Sequence, residues 1–505
     1  MLNDNLNERL ILGDENNNNL IGTSEDNIIK GLEGADTLNG NAGNDSLDGG
    51  NGNNTLDGGV GDDTLVNNFG DVDGELGNDI LIANYSDYEV AINNLAWRNR
   101  IKRNDNNDSL INLYSIENYQ IVGTAFNDSL QGSKNDSLDG GEGVDKLNLD
   151  FYSETESIII DLTATDNQVT FANTEVKNFE EIGSIYAGSN DDIIILGLTA
   201  STSSGYVDGL YGNDTLVLDY SGYETAIQNF DSRNYIERID NDLDLINFYD
   251  IEQYQITGTE FDDSLQGNSN SDTLIGGSGD DEIYGNGGED IITGVNPNLE
   301  NAGVGEIDTL VGGTNSDYFL LGDVNQTFYD DGEYSSQGIE DYALIKDFDL
   351  TEDVLKLSGS KDNYRLGFSP ITDITGTAIY RVGDDYETDE LIAIIDNVTE
   401  LNINSDVFSS IANSINDDAT EDTEEEVEII PKSEDVEEEV EIITEPDDIK
   451  ISRLDSYQIS RLVVGLSIDV DGFTEIELNT LADLNQDSFI SAFDAYLAYS
   501  TFDEV

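Results

Sequence analysis

The chain has 505 residues, with 20 Lys and Arg against 108 Asp and Glu, and its formal net charge is −88. This charge argues against a nucleic-acid binder, because phosphate binding needs clustered Lys or Arg, and against attraction to an anionic membrane surface. The absence of Cys and His excludes disulfide bonds, thiol catalysis, Ser-His-Asp chemistry and zinc held by His.

Nine-residue units begin close to the N-terminus. Two degenerate units occupy 13–30, regular units follow over 31–66, and one more occupies 74–82. Position 1 of each regular unit is Gly, position 6 is Asp or, at Asn54, its amide, and position 8 is Leu. A strict period in glycine, carboxylate and aliphatic residue predicts a repeating backbone turn with one ligand per turn. We assign 1–82 to this first repeat block.

The same units return three times further along the chain. A second block spans 123–148 and contains one shortened unit, and single units lie within 187–217. The last block, 258–320, contains four consecutive units followed, after an insertion, by two more. Units with Asn54 at position 6, or with Phe126 or Asn190 at position 4, are expected to bind metal weakly or not at all.

Longer segments separate the blocks, and two of them are copies of each other. Residues 115–132 return as 250–267, an offset of 135 that also relates the Tyr-rich runs before them. Alternating β-branched and aromatic residues predict strands in these segments. The predicted β inserts are 83–122, 149–186 and 218–257, the middle one a diverged copy; their tyrosines are expected to fill the β core rather than to contact sugars or protein.

A different β segment follows the last block. Residues 321–410 carry no repeats but contain several strand-like runs, and we expect them to cap the end of the repeat stack. Residues 411–446 are acidic and of low complexity, which predicts an extended linker. No run of 18 apolar residues occurs, so no membrane-spanning helix is expected.

The repeat pattern itself predicts how the units stack. In a three-residue strand only the middle side chain, at position 8, points inward, and consecutive units alternate sides, so that units two apart lie about 4.8 Å from each other. Carboxylates at that spacing repel by about 1 kcal/mol in water and more near a protein surface. Carboxylate and carbonyl oxygens suit Ca²⁺ rather than soft metals, so folding and metal binding are expected to be one process. The predicted metal ligands are Asp36, Asp45, Asp63, Asp79, Asp128, Asp136, Asp145, Asp192, Asp214, Asp263, Asp272, Asp281, Asp290, Asp308 and Asp317.

These units resemble the nonapeptide repeats of RTX, or hemolysin-type, calcium-binding proteins, and the segment after the last block resembles the one in cyanobacterial RTX proteins. The resemblance implies a parallel β-roll or β-helix that binds several Ca²⁺ ions and is disordered without them. It also implies a secreted protein exported by the type I route; the N-terminus, which has no basic region followed by an apolar core, fits that expectation. The predicted fold is mainly β: a parallel solenoid with β inserts, plus a small α-helical, EF-hand-like module at the C-terminus.

That C-terminal module is assigned to 447–505. Five residues fit positions 1, 3, 5, 9 and 12 of a calcium loop, and an I-S-x-x-D-x-Y pattern recurs at an offset of 39, which makes the module similar to a dockerin. The resemblance implies a cohesin-type partner; a plain helical hairpin is the alternative. The predicted ligands are Asp483, Asn485, Asp487, Ser491 and Asp494.

Two functions follow from the sequence. The first is a secreted, non-enzymatic calcium-binding repeat protein whose tail docks to a cell surface or a polysaccharide-degrading assembly. The second is an extracellular polysaccharide lyase or glycosidase on a β-helix, because two carboxylates suffice for glycoside hydrolysis. No catalytic domain or motif is recognised, which favours the first.

Overall fold

The computed structural model describes residues 10–95, 99–164, 167–197, 205–229, 234–241, 243–332, 338–383 and 388–411. These residues form β-strands and one short 3-10 helix, Lys361–Asn363, and none of their helices is long and apolar enough to cross a membrane. The chain divides into two compact units, Met1–Gly288 and Glu289–Val505. The predicted linker from 412 onward and the predicted EF-hand-like module, with Asp483, Asn485, Asp487, Ser491 and Asp494, lie outside the described residues.

Short parallel strands build the first unit. In one sheet each strand pairs in parallel with the next, mostly at an offset of two repeat units. In spatial order its strands are β1 (Leu10–Leu12), β3 (Ile28–Lys30), β5 (Ser46–Asp48), β7 (Thr64–Val66), β9 (Ile80–Asn84), β13 (Asn118–Val122), β15 (Ser137–Asp139) and β19 (Glu175–Lys177).

The alternate units form a second sheet of the first unit. Most of its neighbouring strands are also parallel. In spatial order they are β2 (Asn19–Ile21), β4 (Thr37–Asn39), β6 (Asn54–Val60), β8 (Gly70–Leu76), β12 (Ser109–Tyr114), β11 (Arg100–Arg103), β10 (Ile92–Leu95), β14 (Ser129–Gly132), β16 (Lys146–Asp150), β20 (Glu181–Tyr186), β22 (Gly205–Asp208), β26 (Asp244–Tyr249), β25 (Tyr235–Arg238), β24 (Ile227–Asn229), β28 (Ser264–Gln266) and β30 (Glu282–Gly287).

The first unit contains a third sheet, which is built from strands in the later part of this unit. It is parallel except for the short antiparallel pair at its start. Its strands are β18 (Val169–Thr170), β17 (Ile159–Asp161), β21 (Ile193–Gly197), β23 (Thr215–Asp219), β27 (Gln253–Thr257) and β29 (Thr273–Gly277).

Strand register explains why the sequence period gives this architecture. Leu38 pairs with Leu56 and Leu47 pairs with Leu65, so units two apart lie directly above each other. The position 8 side chains are buried and form aliphatic stacks along the inside, which confirms that prediction. Their exposed fraction is at most 1% at Leu38, Leu47, Leu56, Leu65, Leu81, Leu265, Leu274 and Ile283.

The inserts continue the second sheet instead of looping away from it. Strand β12 pairs in parallel with β8 of the repeats, then β11 and β10 run antiparallel, and β10 pairs in parallel with β14 of the next block. The strands β26, β25 and β24 repeat this pattern between β22 and β28. The middle insert differs, since its antiparallel pair, β17–β18, is short and lies in the third sheet, while its strands β19 and β20 pair in parallel with β15 and β16.

The second unit is built in the same manner. Strands β31 (Ile291–Val295), β33 (Tyr318–Leu320), β35 (Val354–Ser358) and β39 (Phe408–Ile411) form one parallel series. The other sheet contains β32 (Ile307–Thr314), β34 (Tyr342–Lys346), β38 (Glu390–Asp396), β37 (Gly376–Arg381) and β36 (Tyr364–Phe368). Strands β34–β39 thus add rungs to those of the last repeat units, and β36–β38 are antiparallel.

Candidate metal centres

The predicted aspartates at position 6 are all buried. From Asp36 to Asp317, none of them is more than 3% exposed in the described residues. Each directly precedes a short strand, except Asp308, which is the second residue of β32, and none of these side chains faces solvent. A buried carboxylate is rare unless it is paired, hydrogen-bonded or bound to a metal.

Hydrogen bonds connect these carboxylates from rung to rung. Asp45 Oδ1 accepts the backbone N–H of Asn27 at 2.6 Å, Asp63 Oδ1 accepts that of Asp45 at 2.7 Å, and Asp79 Oδ1 accepts that of Asp63 at 2.8 Å. One oxygen of each carboxylate therefore stabilises the stack directly. The backbone hydrogen bonds thus offset part of the repulsion that the spacing of the carboxylates predicts.

In twelve of the fifteen predicted aspartates the second oxygen, Oδ2, falls into one of two classes; Asp281, Asp290 and Asp308 are assigned to neither. In seven of the predicted aspartates, Oδ2 is buried and has no hydrogen-bond partner within the described part of the chain. We call these the open carboxylates: Asp36, Asp45, Asp63, Asp79, Asp145, Asp214 and Asp317.

In five others, Oδ2 accepts a backbone N–H from its own turn. The N–H groups come from Thr124, Ser133, Gly188, Thr259 and Asn268, at 2.5–2.8 Å. We call these the closed carboxylates: Asp128, Asp136, Asp192, Asp263 and Asp272.

Position 4 of the unit separates the classes. Open carboxylates follow a glycine, such as Gly43 or Gly61, or the left-handed Asn315 with φ of 81°. Closed carboxylates follow Phe126, Asn190 and their equivalents, or lie in the shortened unit. The residue at position 4 has positive φ before five of the open carboxylates, whereas Gly77 and Gly212, before Asp79 and Asp214, do not adopt a left-handed φ. In the closed units the turn instead directs an N–H at Oδ2.

Glycine at position 1 creates the space beside each open carboxylate. A β-carbon on Gly58 would lie 2.5 Å from Asp63 Oδ2 and 3.0 Å from the carbonyl oxygen of Gly74. Carboxylate and carbonyl oxygens thus converge where a side chain is missing. Hard oxygen donors of this kind fit Ca²⁺, and the donor set contains no sulfur or imidazole.

Burial also shifts the protonation of these groups. Desolvation, the largest cause, raises the pKa of Asp63 to about 6, Asp145 to about 7 and Asp214 to about 8, and the carboxylates of adjacent rungs raise them further. Hydrogen bonds from the backbone act in the opposite direction but are weaker. Near neutral pH Asp145 and Asp214 therefore tend to hold a proton, and a cation would replace it.

Glutamates in the inserts complete several stacks, and the sequence analysis missed them. Glu117, Glu180 and Glu252 each accept the backbone N–H of a repeat aspartate, at 2.8–2.9 Å. They occupy the place that the aspartate of the next unit would take. The 135-residue duplication contains the signal, because Glu117 and Glu252 are equivalent in its two copies.

Two further residues change the predicted set in the second unit. Asp353 Oδ1 accepts the backbone N–H of Asp317 at 3.0 Å, although its unit lacks the glycines and keeps only Asp at position 6 and Leu at position 8. Asp308 is buried, but the residue paired with it is Ala343, and its carboxylate accepts the Tyr329 hydroxyl at 2.6 Å. Asp308 therefore differs from the other predicted ligands in its strand partner, and its role as a metal ligand stays a prediction.

Comparison with known families agrees with the repeat assignment. The family model of the RTX calcium-binding nonapeptide repeat (4 copies) matches residues 12–47, 30–65, 40–81, 122–151 and 257–294. These segments carry RTX repeats, and the repeats indicate that the chain binds multiple Ca²⁺ ions. The comparison with curated proteins gives no match.

Proposed function

We propose that the chain is a secreted calcium-binding repeat protein whose β-roll folds when Ca²⁺ occupies the turns beside the open carboxylates. The observation that carries the proposal is the periodic series of buried Oδ2 atoms that have no hydrogen-bond donor among the described residues, each beside the glycine at position 1 of its own unit. A buried charge without a partner is costly, and a divalent ion would supply that partner at every rung.

The two classes of carboxylate are assigned different roles. An open carboxylate such as Asp63 offers a lone pair to an ion. At a closed carboxylate such as Asp263, the Thr259 N–H already occupies Oδ2, and its positive end repels a cation. Glu117, Glu180 and Glu252 are proposed to stabilise the ends of the stacks.

A pair of substitutions tests this division in the full-length chain. Asp63→Asn keeps the Oδ1 acceptor for Asp45 but removes the charge, so we expect at least one fewer bound Ca²⁺ ion. Asp263→Asn should leave the ion count unchanged, but it should lower thermal stability in calcium, because the new amide group replaces a carboxylate that accepts the Thr259 N–H. Equilibrium dialysis and atomic emission count the ions.

Asp62→Asn is the matched control, since Asp62 is the exposed neighbour of Asp63. It should bind as many ions as the wild type. If Asp63→Asn also retains every ion, the open carboxylates are not the ligands. Loss of an ion in Asp263→Asn would contradict the distinction between the classes.

Calcium-coupled folding also supports an extracellular location. In a low-calcium cytosol the stacked carboxylates would oppose folding, and an unfolded chain suits export by a type I system; external calcium would then fold it. The test is fractionation of a host that carries a type I exporter. Retention of the full-length chain inside such cells would count against secretion.

The tail is proposed to attach the folded repeats to a cohesin-type partner. The proposal rests on the calcium-loop pattern in 447–505, which resembles a dockerin. Replacing Asp483 and Asp487 by Asn in the full chain should abolish capture by cohesin modules while circular dichroism of the repeats stays unchanged. Persisting capture would refute the assignment of this tail.

A further inference from the structure

Three carboxylates outside the nonapeptide repeats converge in the second unit. One oxygen each from Asp331, Asp341 and Glu390 lies within 4.8 Å of the others. Asp341 directly precedes β34, Glu390 begins β38, and Asp331 lies in the loop before β34. Strands β34 and β38 are parallel neighbours, so the sheet itself places Asp341 and Glu390 at the same edge.

Glu390 is the residue that distinguishes this cluster from an exposed acidic patch. Its side chain is fully buried, at 0% exposed, and among the described residues neither carboxylate oxygen has a hydrogen-bond partner. Burial together with the charges of Asp331, Asp341 and Asp330 raises the pKa of Glu390 to about 8. A buried carboxylate aimed at two others needs a compensating positive charge.

In the described part of the chain, the residues around the cluster form no ion pair with Glu390. Gly338 approaches Glu390 Oε1 so closely that a β-carbon would collide with it, and the φ of 57° at Gly338 suits glycine. Arg381, which pairs with Glu390 across the sheet, directs Nε to Asp330 Oδ2 at 3.8 Å instead. Asp341 Oδ2 accepts the Gly305 N–H at 3.4 Å, and its other oxygen accepts no hydrogen bond from the described residues.

We propose that Asp331, Asp341 and Glu390 form an additional calcium site, separate from the repeat turns. The three carboxylates supply hard oxygen donors, and an oxygen-only set of this kind suits Ca²⁺ better than metals that prefer nitrogen or sulfur. The ion would connect the loop before β34 to the β34–β38 edge and so fasten the antiparallel β36–β38 segment to the parallel rungs.

Ion counting on the full-length chain tests the site. Glu390→Gln should bind one Ca²⁺ ion fewer than the wild type, and Asp331→Asn should show the same loss. Glu352→Gln, an exposed glutamate of the same unit, is the control and should keep the wild-type number. If Glu390→Gln folds and binds as many ions as the wild type, the site does not exist.

Hydrogen exchange locates the effect. In the wild type, calcium should increase amide protection in peptides covering β34 and β38, and Glu390→Gln should lose that increase while the repeat peptides keep theirs. If Glu390→Gln fails to fold, Asp331→Asn, whose side chain is only half-buried, decides the question. A site that takes Mg²⁺ but no Ca²⁺ would overturn the assignment of the ion.

This proposal and the proposed function can fail separately. Ion loss in Glu390→Gln combined with none in Asp63→Asn would preserve this site and reject calcium in the repeat turns. The reverse result would preserve the repeat sites alone.

Discussion

The repeat rungs at 31–82 and the insert at 83–122 stack in the same sheets but are stabilised differently. A repeat rung such as β7 buries one aliphatic side chain, Leu65, beside one buried carboxylate, Asp63. An insert strand such as β12 buries Leu110, Ile111 and Leu113 and no carboxylate. The first kind of rung depends on neutralising a charge, whereas the second depends on apolar burial.

The second copy of the insert shows that this difference is systematic. Ile227, Ile236 and Ile246 are fully buried, as are their equivalents 135 residues earlier. Tyr85 and Tyr220 are likewise buried in the two copies, each followed by a turn in which it accepts the N–H three residues on. The inserts are therefore expected to hold the stack together where the repeats provide little core.

Calcium removal should produce the largest difference in stability between the repeat rungs and the insert. In chelator we expect most of the β signal in circular dichroism to disappear, because the repeat carboxylates lose their counterions. Amide exchange should accelerate by orders of magnitude in peptides from 31–82 and by much less in peptides covering β10–β12. Equal loss of protection in both regions would contradict the comparison, and an unchanged spectrum would contradict calcium-coupled folding.

Truncating a buried side chain in each region, with calcium present, should show how calcium binding depends on the two kinds of rung. Ile111→Ala and Leu65→Ala each remove a buried aliphatic group, and each is expected to lower the free energy of unfolding by about 2–5 kcal/mol. The loss in Leu65→Ala should also weaken calcium binding, since the strand that begins after Asp63 is destabilised. Ile111→Ala should leave the calcium midpoint nearly unchanged; denaturant titrations at several calcium concentrations measure both.

Lowering the pH should stabilise the repeats in the absence of calcium and destabilise them in its presence. Folding raises the pKa of Asp145 from 3.8 to about 7 and that of Asp214 from 3.8 to about 8. Between pH 3.8 and these raised values, the folded chain therefore binds more protons than the unfolded chain. This contribution to stability is complete below pH 3.8 and is lost as pH rises through 7–8. The chelated chain should therefore have more β structure at pH 5 than at pH 8.5.

Saturating calcium should reverse that trend, because protons and Ca²⁺ compete for the same oxygens. Thermal unfolding in calcium should show higher stability at pH 8.5 than at pH 5. A chelated chain that gains structure as pH rises would show that the carboxylates are not buried as described.

Local periodicity made much of the fold predictable from the sequence. Gly58, Asp63 and Leu65 lie within one unit, so spacing alone indicates the turn, the carboxylate and the inward strand residue. Glu117 lies 38 residues from the aspartate whose N–H it accepts, and no local pattern predicts that contact.

The same limit applies to the second unit. Asp341 and Glu390 are brought together by the pairing of β34 with β38, which depends on the length of the antiparallel excursion between them. Likewise, the direction of the Thr259 N–H toward Asp263 depends on backbone angles that the residue types only favour. The sequence does not reveal which distant strands pair or how individual peptide groups are oriented.

The smallest expected effect concerns ion pairs that the two insert copies share. Arg103 contacts Asp105, and Arg238 contacts Asp240, in the same bidentate geometry at an offset of 135. Both pairs are solvent-exposed, so screening by water and salt should leave them little influence on stability. Arg103→Gln and Arg238→Gln should each lower the unfolding midpoint by no more than about 2 °C. A larger loss in calorimetry would mean that the inserts depend on charge as the repeats do, and the contrast between the two regions would then fail.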